Sequence, residues 1–325
     1  MSKTTIRLGS RSSSLAVAQT EIVVERLKAA HPDYEFEIVT KNTLGDQVQS
    51  KALYAFGGKS VWTTELEELL TGENGGIHMI VHSLKDVPTS LPEQFELAAI
   101  LDRADPRDVL CVRSDFPYKT LAELPAGSVV GTSSIRRSAQ LRRHYPGLEF
   151  KIVRGNINTR LAKLEDKTLG YTCIILAAAG LLRLNLDAHI TQYLDAPESL
   201  YAVGQGALGV EVRRGDVLVQ SLLAGIKDMR TTFACTAERS LLRRLEGGCS
   251  VPLGVETTET ELGELKMHSL VTSVDGVDAI ESTLVEKVST EAEAEAFGEK
   301  LAEQLLALGA GKILEKINFD KLQQS

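Results

Sequence analysis

The chain has 325 residues, 43% hydrophobic, 25% charged and 5% aromatic, a size for two or three domains at about 150 residues each and a composition that is neither disordered nor fibrous. No apolar run approaches the ~18–20 residues that span a bilayer, and residues 1–7 lack the apolar core of a signal peptide, so neither secretion nor membrane insertion is expected. The net charge is −8, yet residues 131–163 hold eight bases and one acid, Glu149, a +7 window inside a remainder of −15; that pattern argues for a focused anion site and against non-specific nucleic-acid binding.

The first half repeats strand, polar turn, helix. Ile6-Arg7-Leu8 reads as a short strand breaking at Gly9. The serine-rich turn Ser10–Ser14 follows, then a helix with Leu15, Ala18, Ile22, Val23 and Leu27 on one apolar face and serines suited to N-capping. Phe36–Val39 alternates as a second strand, and Ile77–Val81 is a buried strand running into His82-Ser83-Leu84-Lys85-Asp86-Val87-Pro88. The pattern resumes at Ser128-Val129-Val130, which leads into Gly131-Thr132-Ser133-Ser134 and a basic helix. Phe150–Val153 leads into Arg154-Gly155-Asn156 and another helix, and Cys173–Leu176 into Ala177-Ala178-Ala179-Gly180. Such alternation predicts α/β lobes with a largely parallel sheet, whose ligands sit beyond the carboxyl ends of the strands.

The last hundred residues form a smaller α+β unit. A helix bearing Phe233, Ala237, Leu241 and Leu245 is expected to stop at Gly247-Gly248. Asp275-Gly276 predicts a hairpin between alternating stretches. A final helix carries Phe297, Leu301, Leu305 and Leu308 behind a Thr290/Glu293 capping box.

The strand-end turns hold the chemistry. Thr132-Ser133-Ser134 at a helix start offers N–H groups, hydroxyls and the positive dipole end to an anion. Arg136 and Arg137 follow in the first turn, where cations are unfavourable for the dipole, so a bound anion is expected there. Arg11, Arg154 and Arg160 are candidates for the same anion, because guanidinium forks match carboxylates. Arg142 and Arg143 read as solvated surface. Phosphate-loop, GxGxxG, HExxH and GxSxG signatures are absent, and no metal site is expected. Asp86 suits two readings equally, a turn cap before Pro88 and a carboxylate that stabilises positive charge or moves a proton. His82 reads as a packing or hydrogen-bonding residue.

Cys111, Cys173, Cys235 and Cys249 form no CxxC and fit free thiols in a reducing cytoplasm. The first three lie in ordinary buried positions. Cys249 follows Gly247-Gly248 in a loop, where both an inert thiol and a covalent attachment point fit.

Six segments together resemble the porphobilinogen deaminase (hydroxymethylbilane synthase) family, its fungal members most closely. They are Arg11-Ser12-Ser13-Ser14-Leu15-Ala16, His82–Pro88, Gly131–Arg137, Arg154-Gly155-Asn156 with Thr159-Arg160, Ala202–Ala207, and Leu245–Pro252, in the family's order. The resemblance implies two periplasmic-binding-protein-like α/β lobes with a cleft between them and a small α+β C-terminal domain. The expected boundaries are 1–105 with 204–225, 106–203, and 226–325. It implies a cytoplasmic, monomeric transferase of heme biosynthesis that joins four porphobilinogens head to tail with loss of ammonia and releases hydroxymethylbilane. A dipyrromethane cofactor, thioether-linked to Cys249, is implied as primer.

By the same resemblance Asp86 is the catalytic carboxylate. Lys85, Ser13, Ser83, Thr132, Ser133, Ser134, Arg136, Arg137, Arg154 and Arg160 contact the cofactor, and Arg11, Gln19, Arg183 and Gln205 contact substrate. Gly57, Gly58 and Lys59 belong to a lid loop. A second lysine of that loop is replaced here by Thr64, for which modest kinetic consequences are expected. The rival reading is a non-enzymatic two-lobed anion-binding module.

Overall fold

The computed structural model describes residues 3–42, 63–72, 76–245 and 251–317. The lid-loop residues Gly57, Gly58 and Lys59, and Cys249 with Gly247-Gly248, lie outside them.

Strand β1, Thr4–Arg11, does not break at Gly9. A Cβ at Gly9 would stand 2.3 Å from Ile77 Cδ1, so this glycine permits close packing within a strand and makes no turn. Helix α1, Ser14–Ala30, is capped by Ser13, whose Oγ accepts from the Ala16 N–H at 3.3 Å. Its buried face comprises Ala16, Gln19, Thr20, Val23, Val24 and Leu27, whereas Leu15, Ala18 and Ile22 are only half-buried. The face is rotated from the apolar pattern because two polar residues are satisfied inside: the Thr20 hydroxyl donates to Ala16 O at 2.9 Å, and Gln19 Oε1 accepts from Ser83 at 3.0 Å.

There follow β2 (Tyr34–Lys41), α2 (Thr64–Thr71), β3 (Met79–Ser83), a single 3-10 turn at Leu84–Asp86, and β4 (Phe95–Ile100). The middle of the chain supplies β5 (Asp108–Val112), β6 (Val129–Gly131), α3 (Ile135–His144) and β7 (Glu149–Lys151). It continues with α4 (Ile157–Glu165), β8 (Cys173–Ala177), α5 (Ala178–Arg183) and β9 (Gln192–Leu194). The C-terminal portion adds β10 (Leu208–Arg213), α6 (Val217–Ala224), α7 (Met229–Arg244), β11 (Leu253–Glu259) and β12 (Leu265–Thr272). It ends with β13 (Ala279–Glu286), α8 (Glu291–Ala307) and α9 (Ala310–Glu315).

The described residues divide into two compact units, 3–104 with 206–232, and 105–205 with 233–317. The first holds a five-stranded sheet ordered β2-β1-β3-β10-β4. Here β1 runs parallel to β2 and β3, while β10 is antiparallel to β3 and β4. The second unit repeats the pattern as β7-β6-β8-β5-β9, with β6 parallel to β7 and β8 and β5 antiparallel to β8 and β9. The largely parallel sheet expected from the sequence is present in each unit, four strands running one way, with a single reversed strand, β10 or β5, inserted beside the edge strand. In each sheet the antiparallel strand follows a chain crossing between the units, at 104/105 for β5 and 205/206 for β10. That long-range return leaves no local sequence signal.

Ile6, Leu8, Val23, Leu27, Met79, Val81, Val210 and Val212 fill the first core, each worth about 1.5–3 kcal/mol on full burial. Also in the second unit is the antiparallel sheet β11-β12-β13, with Phe297, Leu301 and Leu305 of α8 in one cluster with Leu241, Met267 and Val271. The expected hairpin turn has Gly276 at φ 78°, and both halves of the Thr290/Glu293 capping box form. Two α/β lobes of like topology and a smaller α+β portion are the fold class expected. Among the described residues no helix is long and apolar enough to cross a membrane.

Candidate functional site

In the first unit the polar residues gather where β1 and β3 end. Arg11 closes β1, and Ser13 caps α1. Ser83 closes β3 and donates to the buried Gln19. The chain then makes its 3-10 turn because Leu84 is pulled into the core and its N–H donates to Ala207 O at 3.0 Å. That leaves Lys85 and Asp86 half-buried. Among the described residues the Asp86 side chain has no hydrogen-bond or ion-pair partner, so the turn-cap reading lacks its bond and the carboxylate stays available. Beneath the turn His82 is buried, its Nε2 2.7 Å from Glu211 Oε2, in keeping with a hydrogen-bonding role.

In the second unit Thr132 follows β6, and Ser134 caps α3, its Oγ accepting from the Arg137 N–H at 3.4 Å. Arg136 and Arg137 occupy the first turn and point inward, each only 6% exposed. The negative partner that two cations at a helix start demand is, in the first instance, internal: Asp108, the first residue of β5 and fully buried. Arg136 Nη1 donates to Asp108 Oδ2 at 2.7 Å and to Leu200 O at 2.6 Å. Arg137 Nη2 donates to Asp108 Oδ1 at 2.7 Å, and its Nη1 to Ile175 O at 2.9 Å. Burial raises the Asp108 carboxyl, but the two guanidiniums more than offset it and hold the group well below the usual carboxylate range.

Asp108 and Ser199, which donates to it at 3.2 Å, were not evident as site residues from the sequence. The available signal was the pair of cations itself, together with the acids of Asp105-Pro106-Arg107-Asp108. Gln205, expected to face substrate, gives its Nε2 to Asp108 Oδ1 at 2.8 Å and to Pro106 O at 2.6 Å.

Arg154 and Arg160 flank the turn after β7. Gly155 sits at φ 115°, and a Cβ there would stand 2.7 Å from the Thr159 side chain. Asn156 caps α4, accepting from the Thr159 N–H at 2.9 Å, and Arg160 Nε donates to Gly155 O at 2.7 Å. Arg183 ends α5. Arg143 is exposed as expected, but Arg142 is not simply solvated surface: it donates to Val274 O at 3.1 Å and stacks over Phe150 at 4.8 Å.

The second unit's cluster suits a carboxylate-bearing ligand. Asp108 neutralises one of two guanidinium charges, leaving +1, and Arg137 Nε is buried with no acceptor. No group of three or more His, Cys, Asp or Glu side chains fit to hold a metal occurs among the described residues. Cys111 and Cys173 are buried and their thiols pushed up to about 12 by burial, so neither is a nucleophile at neutral pH.

Comparison with known proteins shows residues 6–221 matching the family described as "Porphobilinogen deaminase, dipyromethane cofactor binding domain". Residues 232–307 match "Porphobilinogen deaminase, C-terminal domain". The porphobilinogen deaminase of Eremothecium gossypii is 56% identical, covering 98% of this chain and 99% of that relative. That of Yarrowia lipolytica is 54% identical, covering 97% and 94%, and that of Saccharomyces cerevisiae 48%, covering 99% and 100%. Among solved structures, the periplasmic aliphatic sulphonate binding protein SsuA from Escherichia coli is 14% identical with a TM-score of 0.41, covering 94% of this chain and 88% of that one. A likeness that slight bears on neither fold nor ligand.

Proposed function

The chain belongs to the porphobilinogen deaminase family, and from that premise we propose that it is the transferase joining porphobilinogens head to tail, four to a product, with loss of ammonia and release of hydroxymethylbilane by water. The observation that carries the reading is the cationic strand-end turn of the second unit, with two guanidiniums against one carboxylate and a buried Arg137 N–H left open. Porphobilinogen brings two carboxylates per unit, so a growing product is polyanionic and calls for such a turn.

The dipyrromethane group, when bound, supplies an electron-rich pyrrole end as primer. Cys249 is its proposed attachment point. Arg136, Arg137, Arg154 and Arg160 would hold its carboxylates, with Lys85 and the hydroxyls of Ser13, Ser83, Thr132, Ser133 and Ser134. Arg11, Gln19, Arg183 and Gln205 are assigned to substrate. The chemical step falls to Asp86. When the amino group of porphobilinogen's aminomethyl arm leaves as ammonia, the carbon–nitrogen bond breaks and a cation develops on the methylene carbon that stays on the ring. An uncommitted carboxylate there stabilises it and takes up the proton released as the new carbon–carbon bond restores the aromatic ring. The three described cysteines are buried free thiols, which supports a reducing, cytoplasmic setting; we assign a monomer.

A non-enzymatic anion-binding module is not favoured, since it accounts for neither the family match nor the cofactor-binding domain. The test is the intact mass of the purified chain beside Cys249→Ser, with porphobilinogen consumption assayed in parallel. A mass excess of two pyrrole units, lost in the variant, together with turnover, supports the reading. An unmodified chain that stays unmodified and consumes nothing on addition of porphobilinogen overturns it.

A further inference from the structure

We propose that Asp108 is the positioning residue for Arg136 and Arg137, fixing the inner edge of both guanidinium forks so that the remaining N–H groups are presented to the ligand's carboxylates. The inference rests on the proposed role of these two arginines. Its basis is the saturation of the carboxylate. Asp108 Oδ1 accepts from Arg137 Nη2 and from Gln205 Nε2, and Oδ2 accepts from Arg136 Nη1 and from Ser199 Oγ. Four donors fill the lone-pair sites of one carboxylate, and the residue is 1% exposed, so Asp108 has neither the access nor the spare capacity to act on substrate. What it does is orient. Arg136 spends both Nη1 N–H groups, on Asp108 and Leu200 O, leaving Nε and Nη2; Arg137 spends one N–H of Nη1 on Ile175 O and one of Nη2 on Asp108, leaving the second N–H of each and a buried Nε without an acceptor.

Asparagine at this position would accept on one oxygen only and turn an amide N–H toward donors. Glutamate would keep the charge but push the carboxylate out by one methylene.

The test uses the full chain produced without porphobilinogen, as wild type, Asp108→Asn and Asp108→Glu. Each is titrated with porphobilinogen while intact mass reports the covalent adduct. In the variants the concentration for half-loading is expected to rise about tenfold or more, the worth of one charge-assisted hydrogen bond, at unchanged circular dichroism and elution volume. A merely structural role would lower the loadable fraction and leave the half-loading concentration where it was, which overturns the proposal. If Asp108→Asn does not fold, Asp108→Glu decides by the same readout. The side-chain Nε–H resonances of Arg136 and Arg137 are followed by NMR in parallel and should be dispersed in wild type and averaged in the variants. If even wild type takes up no adduct, the functional reading fails, and those resonances alone decide: averaging upholds the positioning role and persistence refutes it.

Discussion

Glu67→Gln should make the protein more stable at pH 8 and change little at acidic pH. Glu67 lies on α2, 8% exposed, with Oε1 buried and without a donor; Oε1 of the neighbouring Glu211 is in the same condition. Burial raises the Glu67 carboxyl, a hydrogen bond from Thr63 lowers it, the Glu211 charge raises it and His82 lowers it, with the net direction upward. A carboxyl raised in the folded state favours the protonated form. Its stabilisation is fully present below the unfolded-chain value near 4.3 and is lost as pH rises through the folded value. Above that value the wild type carries an ionised group with an undonated oxygen, which costs about 1–3 kcal/mol. Glutamine keeps the shape and an acceptor for Thr63 without the charge. The midpoint gain at pH 8 should therefore be about 4 °C per kcal/mol recovered, where the ranges for smaller and larger domains meet. Scanning calorimetry of both proteins at pH 5, 6.5 and 8 measures it. A variant less stable than wild type at pH 8, or a difference that does not change with pH, would refute the reasoning.

Gly298→Ala should be strongly destabilising, because the added Cβ would stand 2.1 Å from Ala237 O and 2.9 Å from Leu241 N. Two helix backbones cannot rotate away as a side chain does, and urea denaturation should show a loss of about 1–3 kcal/mol or more. Asp86→Ala should retain the covalent group by intact mass and lose about 10²–10⁴-fold in turnover; near-normal turnover with the group attached would remove Asp86 from the chemistry. Cys111 and Cys173, with thiols pushed up to about 12, should resist a thiol-specific reagent at pH 8 in the folded chain and react only in denaturant. Thr64 is exposed at the first residue of α2, so Thr64→Lys should leave stability nearly unchanged and shift the rate modestly; identical kinetics would detach the position from the lid-loop role.

Features governed by a few neighbouring residues were legible in the chain alone. Ser13, Ser134 and Thr290 cap the helices they precede, and Asp275-Gly276 turns a hairpin. The polar turns lie at strand ends, because capping and turn geometry are decided within four or five residues. The concentration of arginines in residues 131–163 was also plain in the chain, whereas the carboxylate that Arg136 and Arg137 hold, Asp108, was not. Tertiary structure decided what depends on partners far along the chain. Gly9 stays in a strand because Ile77 lies against it. One strand of each sheet is antiparallel to the rest because it follows a crossing of the chain between units. Gln19 and Thr20 join the buried face of α1 because acceptors and donors await them there. Asp108 lies 28 and 29 residues from the arginines it holds and 97 from Gln205. The acids of Asp105-Pro106-Arg107-Asp108 do not single it out, since what gives that carboxylate its role is the set of donors that folding brings around it.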